Sequence, residues 1–278
     1  MDSLVTTEWL VGELGRADLS IVDCTYFLPD QGRDAAAEYR AAHIPGARFL
    51  DIDKVADLSH AAPHMLPSAE AFAGAMEALG VASDERIVVY DNSPHRTAAR
   101  GWFMLRHFGA CDVAILDGGF QRWLAEGRPT ESGEPPPRTA RFAAVERSGE
   151  VVAKAELLAA LPALVVDARS PGRFAGSEPE PRAGLASGHI PGARNVPMAT
   201  LYDPDGRLKS PAELRAAFAA GGVDAAEPFV ASCGSGVTAN SLIFAAHRLG
   251  NAAARLYDGS WSEWGADPAT PKETGFKG

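Results

Sequence analysis

The chain has 278 residues, of which 46% are hydrophobic, and a formal net charge of −10. That length fits two domains of roughly 130–140 residues better than one, and an acidic chain without a Lys/Arg cluster excludes nucleic acid and anionic membrane as natural partners. No apolar run approaches the ~18–20 residues that cross a bilayer, and Met1–Glu8 lacks a basic-then-apolar pattern, so the expected location is the cytoplasm.

Along the first half, Thr6 or Thr7 is placed to cap a helix reaching about Leu14, followed by a short buried strand at Ile21–Asp23. Ser68 is placed to cap a helix over Ala69–Leu79 that stops at Gly80. Arg86-Ile87-Val88-Val89-Tyr90 reads as a β-branched strand. A helix is predicted from Thr97 to Phe108, ending at Gly109, and then a strand at Val113–Leu116. Glu131–Arg138, with Pro135-Pro136-Pro137, reads as the start of a linker; Arg141–Glu150 is expected to pack across the second half.

The second half follows the same order. Ser210-Pro211-Ala212-Glu213 is a capping box with proline at the first helical position, opening a helix to about Ala220. A strand at Phe229–Ala231, a helix from Val237 to Leu249 and a strand at Ala254–Tyr257 follow, and residues 268–278 read as a loose tail. Strands alternating with helices imply an α/β fold, with a mostly parallel sheet in each half and helices on both faces.

The two halves also share words. His43-Ile44-Pro45-Gly46-Ala47-Arg48 returns as His189-Ile190-Pro191-Gly192-Ala193-Arg194, an offset of 146. Ile21-Val22-Asp23 returns as Val165-Val166-Asp167, and Leu116-Asp117-Gly118-Gly119 as Tyr257-Asp258-Gly259-Ser260. An aromatic residue and a tryptophan follow the last anchor each time: Phe120 and Trp123, Trp261 and Trp264. A period of domain size means tandem duplication, not a solenoid. His43 and His189 head a Pro-Gly turn in both halves, which points to a structural role for them.

Three cysteines are present, Cys24, Cys111 and Cys233, with no Cys-x-x-Cys pair and no zinc spacing. No metal or cofactor is expected. Cys24 and Cys111 read as core residues. Cys233 is different, because Cys233-Gly234-Ser235-Gly236-Val237-Thr238 lies between a strand ending at Ser232 and a helix. Such a turn aims several backbone N–H groups at one spot, where the helix N-terminus adds partial positive charge. A cysteine there is expected to act as a thiolate nucleophile. The two glycines allow tight curvature and the close approach of a ligand, and Thr238 can brace the loop with its hydroxyl. Buried filler explains neither glycine.

This loop, the two His-Ile-Pro-Gly-Ala motifs and the duplication resemble the tandem rhodanese family of sulfurtransferases over nearly the whole chain. The Cys-Gly-Ser-Gly-Val-Thr form resembles the branch that uses 3-mercaptopyruvate. The resemblance implies two tandem rhodanese-like domains: a non-catalytic one at 4–130, a linker at 131–150, a catalytic one at 151–267 and a tail at 268–278. It implies that Cys233 takes sulfur from 3-mercaptopyruvate as a persulfide, releases pyruvate, and passes the sulfur to a thiol acceptor such as thioredoxin, or to cyanide. It implies that Arg173 and Arg182 anchor the anionic substrate beside Gly234, Gly236, Val237 and Thr238. It also implies a relay in which Asp53 orients His64 and His64 contacts Ser235. The bland alternative for the two arginines is a surface pair with Glu178 or Glu180.

In the first half Asp91 stands where the second has Cys233, and a carboxylate cannot carry transferable sulfur, so that half is expected to be catalytically dead. Three other readings remain. Thiosulfate:cyanide sulfurtransferase on the same fold is disfavoured by the neutral Gly234-Ser235-Gly236, since a compact dianion calls for basic residues in the loop. A cysteine phosphatase needs an arginine six positions after its cysteine, and Ala239 is there instead. A non-enzymatic persulfide relay or redox-sensing module is compatible with Cys233 but leaves the two arginines without a purpose.

Overall fold

The β-branched runs pair as strands, and the computed structural model, which describes residues 1–160 and 164–276, places them in two five-stranded sheets. The first contains β1 (Leu4–Val5), β2 (Leu19–Asp23), β3 (Arg48–Phe49), β4 (Arg86–Tyr90) and β5 (Asp112–Leu116), in the order β1-β5-β4-β2-β3. The second contains β6 (Val151–Val152), β7 (Val165–Asp167), β8 (Arg194–Asn195), β9 (Val230–Ser232) and β10 (Arg255–Tyr257), in the matching order β6-β10-β9-β7-β8. Every pairing is parallel. Parallel neighbours need long crossovers, and helices supply most of them. β4 carries four consecutive buried residues, Ile87 to Tyr90, because a sheet covered on both faces has no side for polar residues.

Helix boundaries follow the caps. Thr6 accepts the Trp9 N–H and starts α1 (Thr7–Glu13); Ser68 accepts the Ala71 N–H and starts α3 (Ala69–Leu79), which ends at a left-handed Gly80. Between them lies α2 (Ala35–Ala41). α4 (Ala98–His107) and α5 (Gly119–Ala125) complete the first half. In the second, α6 (Lys154–Ala160) and α7 (Pro171–Ala175) precede α8 (Pro211–Ala220), where the Ser210/Glu213 capping box forms as expected. α9 (Ala239–Arg248) and α10 (Ser260–Trp264) finish it. Among the described residues no helix is long and apolar enough to cross a membrane.

The chain divides into two compact units. Unit 1 comprises Met1–Ala56, Leu66–Arg147 and Asp203–Leu208; unit 2 comprises Asp57–Met65, Ser148–Tyr202 and Lys209–Gly278. Each unit therefore contains a short segment encoded in the other half of the chain.

The linker and tail differ from expectation. In unit 1, Trp123 is fully buried and its indole N–H donates to the Pro129 carbonyl; His43 and Glu131 form an isolated antiparallel bridge. In unit 2, Trp264 donates to the Pro271 carbonyl, and His189 bridges to Glu273. Residues around 131 and 273 are thus the same closing segment, used twice. A buried indole needs an acceptor, and an irregular Pro-containing stretch supplies one without any periodic signal. The tail is held in place through Gly275, whose N–H donates to Ala175; residues 277–278 lie outside the described residues. Arg141–Arg147 packs on unit 1 and not across the second half: Phe142 is buried against Phe72, and the Val145 and Arg147 N–H groups donate to Phe108 and His107. His43 and His189 have matching places, each bonded through Nδ1 to a carbonyl, of Tyr39 and Phe174, and each stacked on that residue's ring.

Candidate active site

β9 is the middle strand of its sheet, so Cys233, just past its end, sits at the carboxyl edge where open α/β sheets take ligands. Cys233 is buried. Its N–H donates to Ser260 Oγ (3.1 Å) and its carbonyl accepts from the Trp261 N–H (3.0 Å), so the turn opening α10 holds the cysteine from one side. Ser260 Oγ donates to the Tyr257 carbonyl and lies 4.0 Å from Cys233 Sγ. Ser260 is held at φ 49°, where the matching residue in the first half is Gly119 at φ 57°. A serine kept in the left-handed region at such a place is strain tolerated for its hydroxyl.

Of the two loop glycines the backbone requires Gly236, and Gly234 leaves room for the Arg173 side chain. Gly236 has φ 73°, and a β-carbon there would collide with the Asp258 carbonyl. A β-carbon on Gly234 would meet Arg173 Nη2 at 2.9 Å, so the guanidinium lies directly over the loop. The Gly234 carbonyl is tied by the Ser262 N–H (2.8 Å) and hydroxyl (2.7 Å). The brace expected from Thr238 does not form: Thr238 caps α9 without a side-chain hydrogen bond.

His64 and Ser235 come together as expected. His64 Nδ1 is 2.9 Å from Ser235 Oγ, and both residues are buried. His64 lies in the segment Asp57–Met65 of unit 2 and is held at φ 62°. Asp53 is an exposed residue of unit 1 whose N–H donates to Asp51.

Arg173 adopts the pairing named as its bland alternative. Its Nη2 is 2.5 Å from Glu180 Oε2, while the guanidinium also covers Gly234. Glu180 is shared with Arg169, which reaches Glu180 at 2.7 Å and Asp167 at 2.6 Å, and donates to the Gly188 carbonyl. Burial works against the Arg169 charge, but Asp167 and Glu180 outweigh it and raise its pKa. Arg182 is half-buried and, among the described residues, forms no hydrogen bond or ion pair. Ser260 and Arg169 escape the sequence reading, and Glu180 enters it only as a surface partner. Comparing the repeats position by position would have flagged the first two, since Ser260 replaces Gly119 and Arg169 replaces Thr25.

The corresponding loop of unit 1 is filled by its own side chain. The Asp91 carboxylate accepts the Ser93 N–H (2.8 Å) and the Ala98 N–H (2.7 Å). Burial raises its pKa, while those N–H groups and the Arg96 charge oppose the shift. Thr97 Oγ donates to the Cys24 carbonyl, and the buried Cys24 thiol, pushed well up by burial, packs where Gly101 leaves room. Cys111 is exposed. Among the described residues no cluster of His, Cys, Asp or Glu could hold a metal ion.

The rhodanese-like domain model matches residues 6–126 and 152–267. The 3-mercaptopyruvate sulfurtransferase of Rattus norvegicus is 41% identical over 271 residues, covering 94% of this chain and 91% of its own. The thiosulfate sulfurtransferase of Cricetulus griseus is 40% identical over 289 residues, covering 99% and 97%. The crystal structure of SseA from Escherichia coli, described with the catalytic mechanism of 3-mercaptopyruvate sulfotransferases, superposes with a TM-score of 0.86 at 39% identity, covering 95% of this chain and all of the other.

Proposed function

The chain belongs to the rhodanese-like domain family, and from that premise we propose that it is a 3-mercaptopyruvate sulfurtransferase with Cys233 as its sulfur carrier. The observation that carries the reading is the Cys233 loop itself, with His64 bonded to Ser235 on it and Arg173 over Gly234. Arg173 offers a guanidinium fork to the substrate carboxylate and ketone. Arg182, half-buried and without a protein partner among the described residues, is the second candidate anchor.

In the first step the Cys233 thiolate attacks the substrate sulfur. The S–S bond forms, the C–S bond breaks, and its electron pair goes to the substrate methylene as pyruvate enolate. The enolate carbon takes a proton, and the proton of the substrate thiol balances it; Ser235 and His64 are the relay that moves it. Cys233 is left as a persulfide anion. In the second step an acceptor thiolate, or cyanide, attacks the outer sulfur and the Cys233 thiolate leaves, completing a ping-pong cycle. Thioredoxin is the proposed protein acceptor, and the cytoplasm the proposed location, to be tested by fractionation of cells.

The test is kcat/KM for 3-mercaptopyruvate and for thiosulfate, with dithiothreitol or thioredoxin as acceptor, in wild type and Cys233→Ser. The reading requires a preference for 3-mercaptopyruvate that the serine abolishes. A preference for thiosulfate would move the protein to the second reading, which the Cricetulus griseus relative keeps in play and the neutral loop disfavours.

A further inference from the structure

We propose that Asn240 is a positioning residue of the sulfur-carrying loop, which holds two of its peptide groups so that their N–H donors face Cys233. The proposal rests on the reading of Cys233 as the sulfur carrier. Asn240 lies in the first turn of α9 and is fully buried. Its side-chain amide donates to the carbonyls of Gly236 (2.6 Å) and Val237 (3.0 Å). The orientation of the amide is fixed, because exchanging its oxygen and nitrogen would face the oxygen against two carbonyls.

A trans peptide is planar, with C=O and N–H pointing in opposite directions. Pinning the Gly236 carbonyl therefore sets the direction of the Val237 N–H, and pinning the Val237 carbonyl sets that of Thr238. Among the described residues no acceptor takes either N–H. The two donors therefore point away from Asn240. They stabilise the negative charge of the thiolate and then of the persulfide.

Two further observations separate this role from core filling. Asn240 Oδ1 is buried with no hydrogen-bond partner. A buried acceptor without a partner is destabilising, so a purely structural role would be better served by an apolar side chain. The first half has one: counted from Thr97 and Thr238, the position is Ala99. There the loop needs no such brace, because Asp91 ties its N–H groups directly and Thr97 ties its own hydroxyl to Cys24. Thr238 makes no such bond.

The experiment uses the full chain with Asn240→Ala and Asn240→Ser, which are close in size but differ in that serine can donate to the carbonyl four residues back. The ultraviolet absorbance of the thiolate is followed against pH, each protein being compared with its own Cys233→Ser form, and thermal melting is recorded alongside. The expected result is that Cys233 in Asn240→Ala ionises at higher pH, with an ionisation constant about 3–10-fold smaller. Asn240→Ser recovers part of the difference. Should both variants ionise at the wild-type pH while only the melting temperature moves, Asn240 is a core residue and the proposal fails. If alanine prevents folding, the serine variant against wild type decides in the same way. The readout needs no sulfur donor. A wild type that titrates as proposed but forms no persulfide would refute the sulfur-carrier reading and leave the role of Asn240 standing.

Discussion

Asp91 and Cys233 end the middle strands of two sheets of the same strand order, and the loops after them solve one electrostatic problem in opposite ways. Each loop gathers backbone N–H groups before a helix. In unit 1 the protein supplies the anion itself, and the Asp91 carboxylate takes up two of those donors. In unit 2 the side chain is a thiol, and the matching N–H groups of Ser235 and Ala239 donate to no acceptor among the described residues. The unit 2 loop is also one residue tighter: Thr97 lies six positions after Asp91, Thr238 five after Cys233. On the proposed function the first loop holds an anion for its own stability and the second a transferable one, and the two differ in that side chain, in one residue of length and in the braces around it.

The most direct way to break the comparison is to move the carboxylate. Cys233→Asp is expected to abolish sulfur transfer, by about 10³-fold or more, yet to melt no lower than Cys233→Ser, because the new carboxylate satisfies donors that serine cannot reach. A variant that folds worse than the serine would show that the second loop is not the same cradle.

The strands beside the loops carry a second contrast. Asp167 pairs with Arg169, whereas Asp23, its counterpart, has Thr25 in place of the arginine and, among the described residues, accepts uncharged donors only, the Thr25 N–H among them. Removing the charge from Asp167 leaves a buried arginine with one carboxylate fewer, so Asp167→Asn is expected to cost about 3–5 kcal/mol at any pH near neutral. Asp23 behaves otherwise, since burial pushes its carboxyl up to about 7. The folded state then keeps a proton that the unfolded state has lost above about pH 4, so stability falls as pH rises from about 4 to 7. Asp23→Asn should therefore stabilise the protein at pH 8, on the order of 2–4 kcal/mol, and much less at pH 5, as urea denaturation at the two pH values would show. Equal effects at both would mean that Asp23 is ionised in the folded protein.

Arg173→Met sharpens the functional side of the comparison, because it removes the guanidinium from over Gly234 while Glu180 keeps Arg169. A loss of about 10–100-fold in kcat/KM for 3-mercaptopyruvate is expected, the value of a charge-assisted hydrogen bond. An unchanged value would return Arg173 to a structural pair with Glu180. The smallest effect belongs to Asp91→Asn, which gives up one N–H acceptor, lowers stability by about 1–3 kcal/mol and leaves turnover unchanged.

The sequence makes legible what recurs. The shared words of the two halves and the alternation of strand and helix give the paired sheets, and the strand-loop-helix setting of Cys233 gives the centre of the candidate site. What stays hidden is what depends on single non-periodic contacts. The Pro-rich stretch after Trp123 reads as a linker because nothing in its spacing reveals that a buried indole needs the Pro129 carbonyl. Thr238 looks like the brace of its loop, but the bonds come from Asn240, whose place in a first helical turn is unremarkable without coordinates. Arg173 reads as an ion-pair residue or as a site residue, and the fold pairs it with Glu180 while setting its guanidinium over Gly234.

The central claim is that unit 2 carries the sulfur and unit 1 does not. It is tested most directly by mixing the protein with 3-mercaptopyruvate in the absence of any acceptor and mapping the added sulfur by peptide mass spectrometry. The account predicts one sulfur atom on the peptide containing Cys233 and none on those containing Cys24 or Cys111. Sulfur on either of those peptides, or turnover with no adduct at Cys233, would contradict it.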